Sequence, residues 1–109
     1  MHADHQTFLD ALHEKRCLSV SYYSRKERKN VIRKCAPLDY GPLRGAIEPE
    51  DHYQLWNLEG KRKPLNVTLR DNELLTLTLL DETFEPADII TWAFKPNAWT
   101  LPRDWADFS

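Results

Sequence analysis

One block of the chain sets cations beside aromatic rings. Arg25, Lys26, Arg28, Lys29, Arg33 and Lys34 follow one another closely, with Glu27 as the acid among them. Tyr22 and Tyr23 stand just before the block. These residue types suit single-stranded nucleic acid, because phosphates pair with Arg and Lys while bases stack on rings. Arg33 differs from its neighbours because its flanks read as a strand. A guanidinium fixed in a strand can hold a phosphate through two parallel hydrogen bonds. The alternative is a solvated hairpin turn with structural tyrosines, since basic surface clusters are common. A second basic turn, Lys61-Arg62-Lys63, either extends the same groove or guards a strand edge.

Other residues carry weaker chemical signals. His2, His5 and His13 could share a metal ion if a helix reached the N-terminus, but no Cys or supporting carboxylate is placed with them. Cys17 and Cys35 could pair or act, yet no His is near in sequence to activate either. Small core positions are the commoner use of such cysteines. Asp81, Glu82, Glu85 and Asp88 invite a two-carboxylate hydrolase reading. A solvated acidic face at a strand exit is the competing one. There is no nucleophile elbow, phosphate loop or metal-ligand spacing. We therefore expect no enzyme activity, no cofactor and no metal.

The elements that must position these residues can be read from periodicity. Gln6 to Lys15 reads as a helix, with Phe8, Ala11, Leu12 and Lys15 at helical spacing. Asp4 or Thr7 can cap its start. From Leu18 the period becomes two: Leu18, Val20 and Tyr22 alternate with Ser19, Ser21 and Tyr23. Val31 to Leu38 reads as a second strand, with Pro37 marking its end or an edge. His52 to Leu58 is a third strand, and Leu65, Val67 and Leu69 alternate in a fourth. Leu74 to Leu80 is the last, with Leu75, Leu77 and Leu79 on its apolar face. One helix followed by about five short strands predicts a mainly β domain, a small, strongly bent barrel. After Phe84 come Ile89, Ile90, Trp92, Phe94, Trp99, Trp105 and Phe108, with Pro86, Pro96 and Pro102 between them. Prolines at that density forbid a long helix, and tryptophans so dense rarely stay in water. The tail is expected to run extended and to wrap the barrel or a partner subunit.

The 109 residues fit one domain. With 41% hydrophobic and 29% charged residues the chain is globular rather than disordered. It has no apolar run near membrane-spanning length and no signal-peptide pattern at its start, so a cytoplasmic protein without a membrane partner is expected. The net charge is -2, but residues 1–70 carry a balance of +4 and residues 71–109 one of -6. Either a basic and an acidic face are held apart, or the two halves attract each other within the fold.

The order of features over residues 6–86 resembles the WYL domain, a bacterial barrel related to Sm and SH3 folds. The helix Phe8-Leu9-Asp10-Ala11-Leu12 leads into Leu18-Ser19-Val20-Ser21-Tyr22-Tyr23-Ser24, similar to that family's first strand. Arg33-Lys34-Cys35-Ala36-Pro37-Leu38 is similar to its Arg, three residues, Pro pattern. His52-Tyr53-Gln54-Leu55-Trp56 sits where its Trp-Tyr-Leu triplet stands, with only Tyr53 retained. Leu79-Leu80-Asp81-Glu82-Thr83-Phe84-Glu85-Pro86 is similar to its closing strand and Phe-x-Pro exit. Where that family often carries a second downstream Arg, Glu73-Leu74 stands here with reversed charge. The resemblance implies a ligand-sensing regulatory module for transcription, phage defence or CRISPR-associated systems, without its own helix-turn-helix. Its partner would be single-stranded nucleic acid or a nucleotide-like ligand. Arg33, Arg28, Lys34, Arg25 and Lys63 would contact phosphate, and Tyr23 and Tyr53 would stack or line the groove. The alternative function is protein interaction, a homodimer or adaptor whose interface is Trp92, Phe94, Trp99 and Trp105.

Overall fold

The computed structural model describes residues 1–43, 45, 47, 49–61, 65–95 and 98–109. Its first element is the helix α1, His5–Glu14. Phe8, Ala11 and Leu12 lie one turn apart and are all buried, which gives this short helix the tertiary support it needs. Lys15 ends it in the left-handed conformation at φ 54°. The carboxylate of Asp4, expected to cap the helix, instead accepts from the Leu77 N–H at 3.0 Å.

Five strands follow: β1 Arg16–Ser24, β2 Lys29–Pro42, β3 Asp51–Asn57, β4 Asn66–Leu69 and β5 Leu74–Thr83. They form one antiparallel sheet in the order β4-β3-β2-β1-β5. The protein is thus mainly β, as expected. The pairings stop at β4 and β5, and no ladder joins these two edges among the described residues. The edge of β5 is partly covered by the N-terminal segment. His2 Nε2 lies 3.1 Å from the Leu75 carbonyl oxygen, next to the Asp4 bond to Leu77. These two side chains satisfy edge groups that a neighbouring strand would otherwise pair.

Two strands depart from the expected periodicity. β2 continues past Pro37, which keeps Leu55 as its partner; the register then shifts between Pro37 and Asp39, with Leu38 the extra residue of a bulge. On β5 the register shifts opposite Ser21 and Tyr22, whose partners are Thr76 and Leu74. Leu75 becomes the extra residue and is 41% exposed, while Leu74 and Leu77 are buried. The expected apolar face of Leu75, Leu77 and Leu79 is corrected accordingly.

The sheet has an apolar cluster on each face. One holds Phe8, Leu18, Val20, Tyr22, Cys35, Tyr53 and Leu55 beneath α1. The other holds Leu12, Cys17, Ala36, Leu38, Phe84, Ile89, Ile90 and Trp105. That is why Cys35 to Gly41 of β2 is buried without alternation. The second cluster is built by the tail, which forms one helical turn, α2 Pro86–Ile89, then an irregular path and a final 3-10 turn at Ala106–Phe108. The tail packs on its own chain. Trp105, expected at an interface, is 2% exposed, and its indole N–H donates to the Leu12 carbonyl at 2.9 Å.

A buried ion pair fixes that path. The Arg103 guanidinium has no exposed surface and lies 3.3 Å from the Asp39 carboxylate. It also donates to the Leu38 and Leu101 carbonyls and stacks 4.1 Å and 4.5 Å from the ring centres of Trp99 and Trp105. Burial pulls its pKa down to about 10, which leaves it charged at neutral pH. Removing one member strands the other as an unpaired buried charge. Arg103→Ala is therefore expected to lose about 3–5 kcal/mol in urea unfolding, and tryptophan fluorescence should red-shift as Trp99 and Trp105 meet water.

Candidate ligand cleft

The tip between β1 and β2 is the four-residue turn Arg25–Arg28. The Ser24 hydroxyl accepts from the Glu27 N–H at 3.2 Å, and Arg28 takes the left-handed conformation at φ 56° to close it. A cleft of about 520 Å³ lies beside this tip. Tyr22, Tyr23, Arg25, Lys26, Glu27 and Arg33 line it from β1, the turn and β2. Asn57, Lys61, Leu65, Asn66, Val67, Thr68 and Leu69 line it from β3, β4 and their connection, and Glu73 closes one end.

Strand alternation decides which residues of the basic block reach this cleft. Arg33 points into it. Lys34, the next residue on β2, points to the other face, where its ammonium pairs with Glu82 at 2.6 Å beside Cys17 and Phe84. Lys34 is thus removed from the expected phosphate contacts, and the reason is the two-residue period of the strand. Arg28 lies in the turn and is exposed, but it does not line the cleft. Lys63 lies outside the described residues. Lys26 and Lys61 both line it and have no carboxylate partner among the described residues.

Both arginines of the cleft are already paired. Arg25 Nε and Nη2 each donate to a Glu73 carboxylate oxygen at 2.7 Å. Glu73 is the better buried partner, at 13% exposure against 66% for Arg25. It also accepts from the Arg70 N–H at 3.0 Å, and its carbonyl accepts from the Tyr23 N–H at 3.0 Å. The bond from Arg25 holds its carboxyl below the usual carboxylate range. Arg33 Nη2 donates to both oxygens of Glu27, at 3.2 Å and 3.0 Å, and Arg33 Nη1 donates to the Ile32 carbonyl at 2.9 Å.

The two expected stacking residues separate. Tyr23 lines the cleft and is 42% exposed. Tyr53 is fully buried and cannot stack on a ligand. Its inward position on β3 packs it edge-on to Phe8 and against Tyr40, with centroids 5.1 Å and 4.3 Å away. Its hydroxyl accepts from the His2 N–H at 3.2 Å and lies 2.7 Å from His5 Nδ1. Burial pushes its phenol up to about 12, and burial lowers the pKa of His5 beside it. His2 and His5 are thus engaged in packing the N-terminus, and no group of three metal-ligating side chains forms among the described residues. Sequence reasoning missed Asn66 and Thr68 as the opposite wall, whereas Lys61 belongs to the second basic turn that it set beside the groove. Only the topology brings β4 across from the tip.

The remaining singled-out residues lie elsewhere. Cys17 and Cys35 are free, buried thiols, and burial raises both, Cys35 to about 12. Asp81, Glu82, Glu85 and Asp88 form an exposed acidic surface at the far end of β5 and on α2. Trp92, 45% exposed, leans on Trp56 with ring centres 6.0 Å apart. Phe94 and Trp99 stack 5.5 Å apart within the tail's own cluster. With Trp92 they border a second cleft of about 470 Å³. No helix of the described residues is long and apolar enough to cross a membrane. Comparison with models of known protein families, with curated proteins and with solved structures finds no match to this chain.

The Glu73 bonds have a pH signature. A carboxyl held below its ordinary value stabilises the fold fully above about pH 4.5, and that contribution is lost as pH falls through the folded-state value. Glu73→Gln should lower the urea midpoint at neutral pH and flatten this part of the acid limb, as read by circular dichroism at a series of pH values.

Proposed function

We propose that this chain is a non-enzymatic regulatory binding domain that takes single-stranded nucleic acid or a nucleotide-like ligand in the cleft beside the β1–β2 tip. The observation that carries this reading is the composition of the cleft. An exposed Tyr23 ring, apolar Leu65, Val67 and Leu69, and the cations Lys26, Lys61 and Arg33 line one space. A base needs a ring and an apolar surface, and a phosphate needs a cation. A volume of about 520 Å³ also falls within the usual range for small-molecule sites, roughly 300–1,000 Å³. The resemblance of residues 6–86 to WYL domains supports the same class of ligand, and it implies a cytoplasmic regulator in transcription, phage defence or CRISPR-associated systems.

The test is fluorescence anisotropy of labelled single-stranded RNA and DNA at several salt concentrations. Binding should weaken with salt, log affinity falling by about 0.7 per phosphate neutralised. Arg33→Ala and Lys26→Ala should each weaken binding and reduce that slope. Tyr23→Ala should cost about 1–3 kcal/mol of affinity for each base it stacks, whereas Lys34→Ala should leave affinity nearly unchanged. Absence of salt-dependent binding would reject the reading. The exposed Trp92 favours a second reading, protein interaction or homodimerisation through the tail. That reading requires a salt-tolerant oligomer in sedimentation velocity that Trp92→Ala dissociates.

A further inference from the structure

The two arginines of the cleft look alike in sequence but are held in different ways. Glu73 is nearly buried and is fixed by a backbone N–H as well as by Arg25. Releasing it would leave a buried carboxylate with poorer partners, which is costly. Glu27 stands at 40% exposure on a four-residue turn, and its carboxylate touches only Arg33 among the described residues. Releasing it costs little, because water replaces the pair and exposed ion pairs are weak. The backbone of Glu27 is tied into the turn by the Ser24 hydroxyl, which accepts from its N–H at 3.2 Å, so the side chain can leave Arg33 without opening the turn.

We infer that Glu27 is a built-in competitor for the ligand's phosphate: its carboxylate occupies the Arg33 guanidinium, and an incoming phosphate displaces it. This rests on the cleft being an anion site, as proposed above. The chemistry is like for like, since carboxylate and phosphate are both anions that offer two oxygens, and Glu27 holds Arg33 through Nη2 alone. Arg33 is then the exchangeable cation of the cleft, while Arg25 stays with Glu73 and positions the end wall. The consequence for selectivity is direct. A ligand with one weak anionic group gains little by replacing Glu27, whereas a phosphate that also reaches Lys26 or Lys61 gains a contact that Glu27 does not make.

The experiment uses fluorescein-labelled hexauridylate and hexathymidylate with the full chain. Four proteins are compared at low salt: wild type, Glu27→Gln, Glu85→Gln as a control for net charge, and Glu27→Gln combined with Arg33→Ala. Freeing Arg33 from an exposed pair should tighten binding by about two- to five-fold in Glu27→Gln. Glu85→Gln, at the far end of β5, should match wild type, and the gain should vanish in the double variant. Equal gains in Glu27→Gln and Glu85→Gln would reduce the effect to bulk charge and overturn the inference. So would wild-type binding that Glu27→Gln leaves unchanged, and in both cases the anion cleft itself would stand. Failure of wild type and Glu27→Gln alike to bind either strand would overturn the cleft and the inference together.

Discussion

The Asp39 carboxylate is the point on which the two halves of the structure meet. It accepts from the N–H groups of Tyr40, Thr100 and Leu101 and from the Arg103 guanidinium. A carboxylate buried this deeply is tolerated only when such donors replace its water. It sits just after the bulge at Leu38, where the register shift on β2 opens the strand to outside partners. Without it the tail would keep only the Arg103 bond to the Leu38 carbonyl as a polar anchor on β2 among the described residues. Ala36, Leu38 and Phe84 would then present an apolar surface to water, on the face that Trp105 and Ile89 now cover. Arg103, flat between Trp99 and Trp105, turns the same anchor into the centre of an aromatic stack.

That anchor also decides where a ligand can enter. The tail covers the outer face near the start of β1 and the middle of β2. β1 has nine residues, which sets its tip about 25 Å from that covered end. The β1–β2 turn projects there beside β4, whose outer edge has no strand neighbour among the described residues. The cleft is therefore a product of incomplete pairing: a ladder between β4 and β5 would fill part of the space that Tyr23, Arg33 and Leu69 now border.

Much of this architecture is legible in the sequence, because it depends on local periodicity. The spacing of Phe8, Ala11 and Leu12 marks α1, and Leu18, Val20 and Tyr22 mark the inward face of β1. What periodicity misses is register. Leu75 reads as core and is exposed because a bulge opposite Ser21 and Tyr22 shifts it outward. Pro37 reads as a strand end, yet it keeps Leu55 as its partner and β2 runs on past a bulge at Leu38. The candidate site shows the same division. Tyr23 and Arg33 could be picked out because their residue types suit the chemistry. Tyr53 has an equally suitable type, yet an inward position on β3 and a hydrogen bond from the N-terminus place it in the core. Residue type names candidates, and only long-range pairing tells a lining ring from a packed one.

The charge asymmetry of the chain is resolved by the same pairing. A basic first part and an acidic last part could mean two separate faces or two halves that attract. Arg16 with Asp81, Arg25 with Glu73 and Lys34 with Glu82 each join the N-terminal strands to β5 or to the turn before it. Arg103 with Asp39 makes the reverse connection, a cation of the acidic tail on β2. Part of the asymmetry is thus neutralised within the fold, by exposed pairs that add little stability. The remainder is local. Lys26, Arg28 and Lys29 at the tip and Lys61 across the cleft have no carboxylate partner among the described residues. A chain of net charge -2 therefore keeps a positive end at this tip, while exposed acids such as Glu85 and Asp88 lie away from it, beyond β5 and on α2. Net charge reports on solubility, whereas the field met by an approaching anion is set by the few cations that the fold leaves unpaired.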